Sequence, residues 1–417
     1  MKKQSMDSPL VLLGGLTAKA FMTMHWQKKP LLVRNAFKDF KPIMNRQSLF
    51  DLAKSEDVES RLVVHSNDAP KGTGQWSLAH GPFKTKDLPK LSQKAWTLLV
   101  QGVNLHNDQA AEILNQFNFI ARARLDDLMI SYATDQGGVG PHFDRYDVFL
   151  LQAQGVRRWR IGKNKNHQLE PNVPLKILSN FTHTHEFLLH PGDMLYLPPQ
   201  YAHEGVAMGE CQTYSIGFKA PQAQELTQEL FSLMSETLGE QPWSANPLYQ
   251  DANQAPTQSP GEIPLSLQFF AHQQFLKKAC DSELFHEALG IHLSEPKAHV
   301  YFNPVEAQKS VQAMLSRLKK GAPCVVRLAR QSQMLFDEKR IYINGESLKA
   351  SGFERTLLRK LANQRVLQSE DFEPFMNDPL ASRMKGLLEL LHEWAEQGWV
   401  LIDFNNMNEN LDKAGKP

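Results

Sequence analysis

The stretch Gly137-Gly138-Val139-Gly140-Pro141-His142-Phe143-Asp144-Arg145-Tyr146-Asp147 decides how this chain is read, because it sets an imidazole and a carboxylate two residues apart just past a flexible glycine run. Side chains at i and i+2 of a strand share a face. One nitrogen and one oxygen ligand, joined by a second imidazole from elsewhere, make the 2-His-1-carboxylate triad that holds Fe(II) with open positions for oxygen and a co-substrate. The spacing alone is weak evidence. With 15 His and 45 acidic residues in 417, about 1.6 His-x-Asp/Glu pairs arise by chance, and a second, His106-Asn107-Asp108, is present. That pair has a simpler use, since Asn107 or Asp108 is expected to cap a helix running through Ala110 to Phe117.

A second segment lifts the first above chance: His190-Pro191-Gly192-Asp193-Met194-Leu195-Tyr196-Leu197-Pro198-Pro199-Gln200-Tyr201-Ala202-His203-Glu204-Gly205, whose His203 lies 61 residues after His142. Pro-Gly-Asp is turn chemistry. The four apolar residues after it predict a short strand, which two prolines stop by withholding ladder donors, leaving His203 at a barrel mouth. Together the two segments resemble the paired metal motifs of the cupin fold, and specifically the JmjC branch of Fe(II)- and 2-oxoglutarate-dependent oxygenases. His183 and His185 form another i, i+2 pair, but they precede the turn and are poorer ligand candidates.

Composition sets the frame. At 417 residues the chain is long enough for two or three domains. Its 41% hydrophobic and 22% charged content, with a formal charge of +1, demands neither nucleic acid nor membrane. Cys211, Cys280 and Cys324 are far apart, so neither a zinc site nor a disulfide framework is suggested. The N-terminus mimics a signal peptide, with Lys2, Lys3 and an apolar stretch from Leu10 to Leu16, but Asp7 and Pro9 interrupt it. A reducing cytoplasm is the expected location, and no apolar run approaches the roughly 20 residues of a membrane helix.

Working outward, residues 20 to 40 predict a helix turning through Lys28-Lys29-Pro30 into a buried strand, an opening that resembles JmjC proteins of the ribosomal-oxygenase type. Helical patterns near Leu49 to Lys54 and Ala110 to Ile120 alternate with strands at Arg61 to Val64 and Trp96 to Val100. Short strands then crowd together: Leu128 to Tyr132, Asp147 to Gln152, Arg157 to Ile161, Glu186 to Leu189, Met194 to Leu197 and Gln212 to Phe218. That density reads as a sandwich or barrel.

After Phe218 the pattern turns helical from Ala223 to Leu238, then runs through a Pro, Gln, Asn and Ser-rich linker from Gly239 to Pro264. The next segment packs Leu265, Leu267, Phe269, Phe270, Phe275, Leu276, Leu284, Phe285, Leu289 and Ile291 into a short span. Such apolar density needs a partner surface, either the barrel or a second copy of the chain. From Pro304 onward the expected order is helix, strands at Ala322 to Leu328 and Arg340 to Asn344, helices at Phe353 to Gln364 and Leu380 to Gln397, and a strand at Trp399 to Phe404. Asn344-Gly345 signals a hairpin, and helices followed by a small hairpin suggest a winged helix. Residues 298 to 417 hold 17 Lys+Arg against 15 Asp+Glu, so a protein-contact module is expected and direct DNA binding is not. The residues past Asn405 are polar and expected to fray.

The run Gly155-Val156-Arg157-Arg158-Trp159-Arg160-Ile161 bears on the co-substrate. On a strand, Arg157, Trp159 and Ile161 share the apolar face, while Arg158 and Arg160 share the other. A guanidinium held on the apolar face needs an anion, and a bidentate carboxylate is its natural mate. An internal salt bridge from Arg157 to Asp193 or Glu204 is the alternative. Tyr132 and Tyr214 are read as core aromatics that could also line the pocket.

The whole chain resembles the bacterial ribosomal oxygenases, JmjC proteins that hydroxylate an arginine of the sixteenth large-subunit ribosomal protein. The resemblance rests on Gly138-Val139-Gly140-Pro141-His142-x-Asp144, Tyr146-Asp147-Val148-Phe149, Pro191-Gly192-Asp193 to Pro199, His203-Glu204-Gly205 and Tyr214-Ser215-x-Gly217-Phe218. It implies an α+β architecture: a JmjC/cupin double-stranded β-helix (jelly-roll) over 1–219, a helical dimerisation region over 220–300 and a winged-helix-like domain over 301–417. It implies Fe(II) on His142, Asp144 and His203, 2-oxoglutarate and O2 as co-substrates, the distal carboxylate on Arg157, and Ser131 assisting. It further implies a large-subunit ribosomal protein as substrate and a homodimer. Asp135 and Asp147 are candidates for gripping the substrate guanidinium, against plainer roles in turn capping and strand-end hydrogen bonding. A histidyl or lysyl JmjC hydroxylase or demethylase, or a non-catalytic cupin/winged-helix regulator, would share much of this pattern. The segments from Gly162 to Thr184 and after residue 239 depart from it.

Overall fold

The run Val148-Phe149-Leu150-Leu151 is buried on both faces: Phe149 and Leu151 join one apolar core, and Val148 and Leu150 join another. A strand buried this way loses the polar alternation of a half-exposed one. In the computed structural model, which describes residues 7–66, 75–164, 167–199, 201–239, 247–250, 252, 263–304, 309–376 and 381–404, this strand is the spine of the larger sheet. The chain divides into two compact units, Met1–Ala220 with His299–Tyr301 and Pro221–Ala298 with Phe302–Pro417.

The first unit contains β1 (Leu31–Val33), β2 (Ser60–His65), β3 (Trp76–His80), β4 (Trp96–Val100), β5 (Leu125–Ala133), β6 (Asp147–Lys163), β7 (His185–Leu189), β8 (Met194–Leu197) and β9 (Tyr201–Phe218), with helices α1 (Ala18–Met24), α2 (Arg46–Leu52) and α3 (Asp108–Asn115). Each helix starts on a side-chain cap: Thr17 accepts from Ala20 N, Asn45 from Ser48 N and Asn107 from Ala110 N. Such caps contribute about 1 kcal/mol each. The strands pair antiparallel in the order β1-β8-β6-β9-β5-β4-β2-β3, with β7 also on β6.

β6 and β9 pair along almost their whole length, and the register shifts between Gln152 and Val156. Gly155 sits there at φ +65°, where a Cβ would lie 2.1 Å from the Glu210 carbonyl oxygen. The irregularity lets one strand serve two partners: β8 pairs with Val148 to Leu151, and β7 with Arg157 to Ile161. One long strand thus carries two successive neighbours on one edge and β9 on the other, all within one nine-stranded sheet. The strands expected separately at 147–152 and 157–161 are therefore one, because a bulge, not a turn, lies between them. The strand expected at Gln212 likewise begins at Tyr201, and β3, a five-residue edge strand with only Trp76 and Leu78 half-buried, is too short for its alternation to stand out. The main core is aromatic, with Phe149 4.8 Å from both Phe117 and Tyr196 by ring centroid. Burying a side chain of this size contributes about 1.5–3 kcal/mol.

The second unit contains α4 (Ala223–Gly239), α5 (Leu265–Ala279), α6 (Ser282–Ser294), α7 (Val311–Lys319), β10 (Val325–Leu328), β11 (Met334–Phe336), β12 (Arg340–Ile343), β13 (Glu346–Lys349), α8 (Gly352–Gln364), β14 (Val366–Leu367), α9 (Ser369–Phe372), α10 (Ala381–Glu396) and β15 (Val400–Asp403). Two small sheets form, β14-β10-β15 and β11-β12-β13. The β12–β13 hairpin turns on Asn344 and Gly345, both with positive φ, as the Asn-Gly pair predicts. α4 and α6 share a small core of Leu230, Met234, Leu284 and Ala288, and α6 is tied to β12 by Arg340–Glu287 at 2.6 Å and Tyr342 Oη to His286 O at 3.1 Å. Most of the linker expected at 239–264, and the tail past Asn405, lie outside the described residues. No described helix is long and apolar enough to cross a membrane.

Candidate metal centre

His142 lies in irregular chain, not in a strand, and its place is set by one bridge to β9. His142 N donates to His203 O at 3.0 Å and His203 N to His142 O at 2.7 Å, so the two residues face each other as a hydrogen-bonded antiparallel pair. Their side chains fall on one side, with ring centroids 4.3 Å apart. Asp144 reaches the same point, its Oδ2 3.6 Å from His203 Nε2. One donor atom from each of His142, Asp144 and His203 lies within 4.8 Å of the others, and among the described residues this is the one such group of three. His203 is buried as the third residue of β9, inside the strand and not just past the end of one.

Both imidazoles are pre-oriented. His142 Nδ1 donates to Gly140 O at 2.9 Å, and His203 Nδ1 to Tyr201 O at 3.0 Å. A carbonyl can only accept, so each ring carries its proton on Nδ1 and presents the Nε2 lone pair to the centre. Burial, reinforced by the neighbouring His142, lowers the His203 pKa to about 4 against the opposing pull of Asp144, so this ring is neutral at physiological pH. Two imidazoles and a carboxylate suit a divalent metal with open positions. Trp159 backs the centre with its ring 5.8 Å from that of His203, packed on Gly205, where a Cβ would lie 2.7 Å from the indole. The His-Glu-Gly order thus follows from one ligand, one outward carboxylate and one position with no room for a side chain.

Arg157 shares the face of Trp159, its guanidinium 5.5 Å from the indole centroid, and is only 4% exposed. Its Nη1 donates to Ser131 Oγ at 3.0 Å and Thr213 Oγ1 at 3.1 Å. Those hydroxyls donate onward, Ser131 to Thr213 O at 3.3 Å and Thr213 to Gln152 Oε1 at 2.9 Å, which leaves their oxygens to accept from the arginine. Gln152 is anchored in turn to Gln154 O at 2.8 Å. The Arg157 Nε is buried with no hydrogen-bond partner, and among the described residues no carboxylate pairs with this cation. The alternative salt bridges have other uses: Asp193 pairs with Arg34 at 2.5 Å, and Glu204 lies 3.6 Å from Arg160. Burial lowers the Arg157 pKa, as expected of a desolvated cation, and the site therefore suits an anionic group from outside the chain.

Other candidates separate from the centre. His185 begins β7, exposed and hydrogen-bonded to Thr184, and neither it nor His183 belongs to the ligand group. Tyr132 and Tyr214 are fully buried core aromatics. Asp147 cannot grip a substrate, because it is 0% exposed and accepts from Tyr196 Oη at 2.6 Å, Gln27 Nε2 at 3.0 Å and Arg124 Nη2 at 3.3 Å. Asp135 is engaged by Gly209 N at 3.0 Å and Lys94 at 2.9 Å. Two further carboxylates, Asp126 and Asp127, lie against Gly217 of β9, where Asp127 accepts from Gly102 N at 3.0 Å. Tyr146 is 42% exposed, and its hydroxyl pKa is raised by burial and then by the carboxylates of Asp144, Asp127 and Asp126. Sequence reasoning missed these last two, and also Thr213 and Gln152; the only available signal for the latter pair was polar residues in phase with apolar ones on the two longest strands.

Comparison with known proteins places this geometry. The family described as JmjC domain matches residues 112–226, and the one described as ROXA-like winged helix matches 273–400. The ribosomal protein uL16 3-hydroxylase of Escherichia coli (strain K12) is 32% identical over 379 residues, spanning 91% of this chain and 97% of that protein. A probable ribosomal oxygenase of Haemophilus influenzae is 30% identical, spanning 93% and 96%. A solved structure of YcfD, a ribosomal oxygenase from Escherichia coli, in complex with cobalt and 2-oxoglutarate, superposes with a TM-score of 0.76 at 29% identity, spanning 93% of this chain and 98% of that one.

Proposed function

This chain belongs to the JmjC ribosomal oxygenases, and from that premise we propose that it is an Fe(II)- and 2-oxoglutarate-dependent hydroxylase of an arginine side chain in the large-subunit ribosomal protein uL16. His142, Asp144 and His203 hold the iron, and Arg157, steadied by Ser131, takes the distal carboxylate of 2-oxoglutarate. When bound, iron with 2-oxoglutarate and O2 supplies an oxidative decarboxylation to succinate and CO2 that delivers one oxygen atom to an unactivated C–H bond. The observation that carries the reading is the buried Arg157, a cation without an internal anion, beside the same Trp159 that backs His203.

The residues divide the remaining work. The carbonyls of Gly140 and Tyr201 keep both imidazoles turned toward the iron. Thr213 and Gln152 hold the Arg157 fork in register. Asp126, Asp127 and Tyr146 at the mouth favour a guanidinium, since a cation entering there meets carboxylates beside Asp144.

Residues 1–219 form the catalytic domain, 220–300 the dimerisation region and 301–417 a winged-helix-like protein-contact domain. A homodimer is supported by α5, which buries none of its side chains and leaves Leu265 80% and Phe269 65% exposed. A cytoplasmic enzyme fits a ribosomal substrate. The test is incubation with Fe(II), 2-oxoglutarate and purified ribosomes, then peptide mass spectrometry. A gain of one oxygen on a uL16 arginine is expected; a modified histidine with unmodified arginine would move the protein to the histidyl hydroxylases.

A further inference from the structure

The wall formed by β2, β4 and the segment between β3 and β4 opens into a cleft of about 900 Å3, lined among others by His65, Lys86, Lys90, Gln93, Lys94 and Gln136. None of these has a part in the chemistry above. The segment Phe83-Lys84-Thr85-Lys86-Asp87-Leu88-Pro89-Lys90-Leu91-Ser92-Gln93-Lys94 carries four lysines and a single acid. That acid is engaged, Asp87 Oδ2 accepting from Lys84 N at 2.8 Å. Lys94 pairs with Asp135 at 2.9 Å, while Lys86 and Lys90 have no acidic partner among the described residues.

Two rings join this cleft to the metal centre. His65, on the cleft wall, stacks on Trp76 with centroids 4.2 Å apart. Trp76 lies against Gly140, where a Cβ would meet the indole at 3.3 Å, and the carbonyl of Gly140 orients His142. Gln136 stands six residues before His142, so at most about 20 Å of extended chain separates the two.

We propose that this cleft docks a strand of RNA lying beside the polypeptide to be hydroxylated, an inference that rests on the ribosomal substrate proposed above. Ammonium groups take phosphates as point charges, ring faces stack bases, and glutamine amides reach base edges. A lysine wall gives no hold on a polypeptide offering an arginine, whereas the nucleic acid around a ribosomal protein fits it.

The test titrates a fluorescent single-stranded RNA of roughly 12 nucleotides, within the reach of such clefts, into the full chain and its Lys86→Glu/Lys90→Glu variant over a range of salt. The variant binds about tenfold more weakly, with a log–log salt slope shallower by roughly 1.4, two contacts at about 0.7 each. It hydroxylates an isolated arginine peptide as wild type does, and the same arginine within a ribosomal particle more slowly. Equal RNA affinity of the two proteins, including none, overturns the proposal, as does tighter binding of a polyglutamate peptide than of RNA. If neither protein hydroxylates peptide or particle, the fault lies with the proposed function, and the RNA titration still decides the cleft.

Discussion

Replacing Arg157 by methionine tests the co-substrate assignment with little risk to the fold. Ser131 and Thr213 keep the acceptors they already donate to, so removing the guanidinium leaves no new unsatisfied donor. Exchanging a buried charge for an apolar chain of similar length is often neutral for stability. The bound state loses much more. A buried, charge-assisted pair with a carboxylate contributes on the order of 3 kcal/mol, so 2-oxoglutarate affinity should fall more than about a hundredfold while metal affinity stays near wild type. Isothermal titration of 2-oxoglutarate into the Mn(II)-loaded protein under anaerobic conditions measures this directly. Arg158, on the opposite face of β6 and paired across to Leu188 and Val206, is the control, and Arg158→Met should bind within about threefold of wild type. If Arg157→Met binds like wild type while Arg158→Met fails, the facing of β6 is misassigned and the anion site with it.

His142→Ala should lower Mn(II) occupancy in equilibrium dialysis while the melting temperature of the metal-free protein changes little, because the jelly roll closes on its two apolar cores and not on the metal. Thr213→Val removes one acceptor from Arg157 and should raise the KM for 2-oxoglutarate about tenfold or more with metal affinity unchanged, a hydrogen bond to a charged group contributing roughly 1.5 kcal/mol at the low end. Asp126→Asn should raise the KM for an arginine peptide about threefold at low salt, with the difference fading near 0.5 M salt as screening removes the attraction. Leu265→Asp/Phe269→Asp should convert a dimer to a monomer in light scattering; an unchanged mass would take α5 out of the interface.

How much was legible depended on which physical signal each element carried. The strands flanking the core announced themselves by apolar runs, and the caps at Asn107 and the turn at Asn344-Gly345 by residues that few other local structures favour. The failures share a cause. The bend at Gly155 reads locally like a chain break, since a lone glycine in a strand-like run marks either a turn or a bulge, and only the two-partner pairing of β6 decides between them. β3 was missed because its alternation, Trp76 and Leu78 about Ser77, spans only five residues at the edge of the sheet.

The site divides along the same line. His142, Asp144 and Arg157 were readable because their spacing on one chain already fixes which atoms can converge. The carbonyls of Gly140 and Tyr201 are local to the histidines they orient, but the Ser131, Thr213 and Gln152 chain and the space for Trp159 at Gly205 come from β5, β9 and β6, which meet only once the β5-β9-β6 order is formed. Asp147 shows the consequence. By sequence it stood three residues from a ligand and looked available, yet the aromatic core brings Tyr196, and the helix end brings Gln27, to take both its oxygens. Carboxylates near a metal motif are thus sorted by the packing behind them: Asp144, half-buried, turns to the imidazoles, whereas Asp147, fully buried on the first residue of β6, is taken up by Tyr196, Gln27 and Arg124.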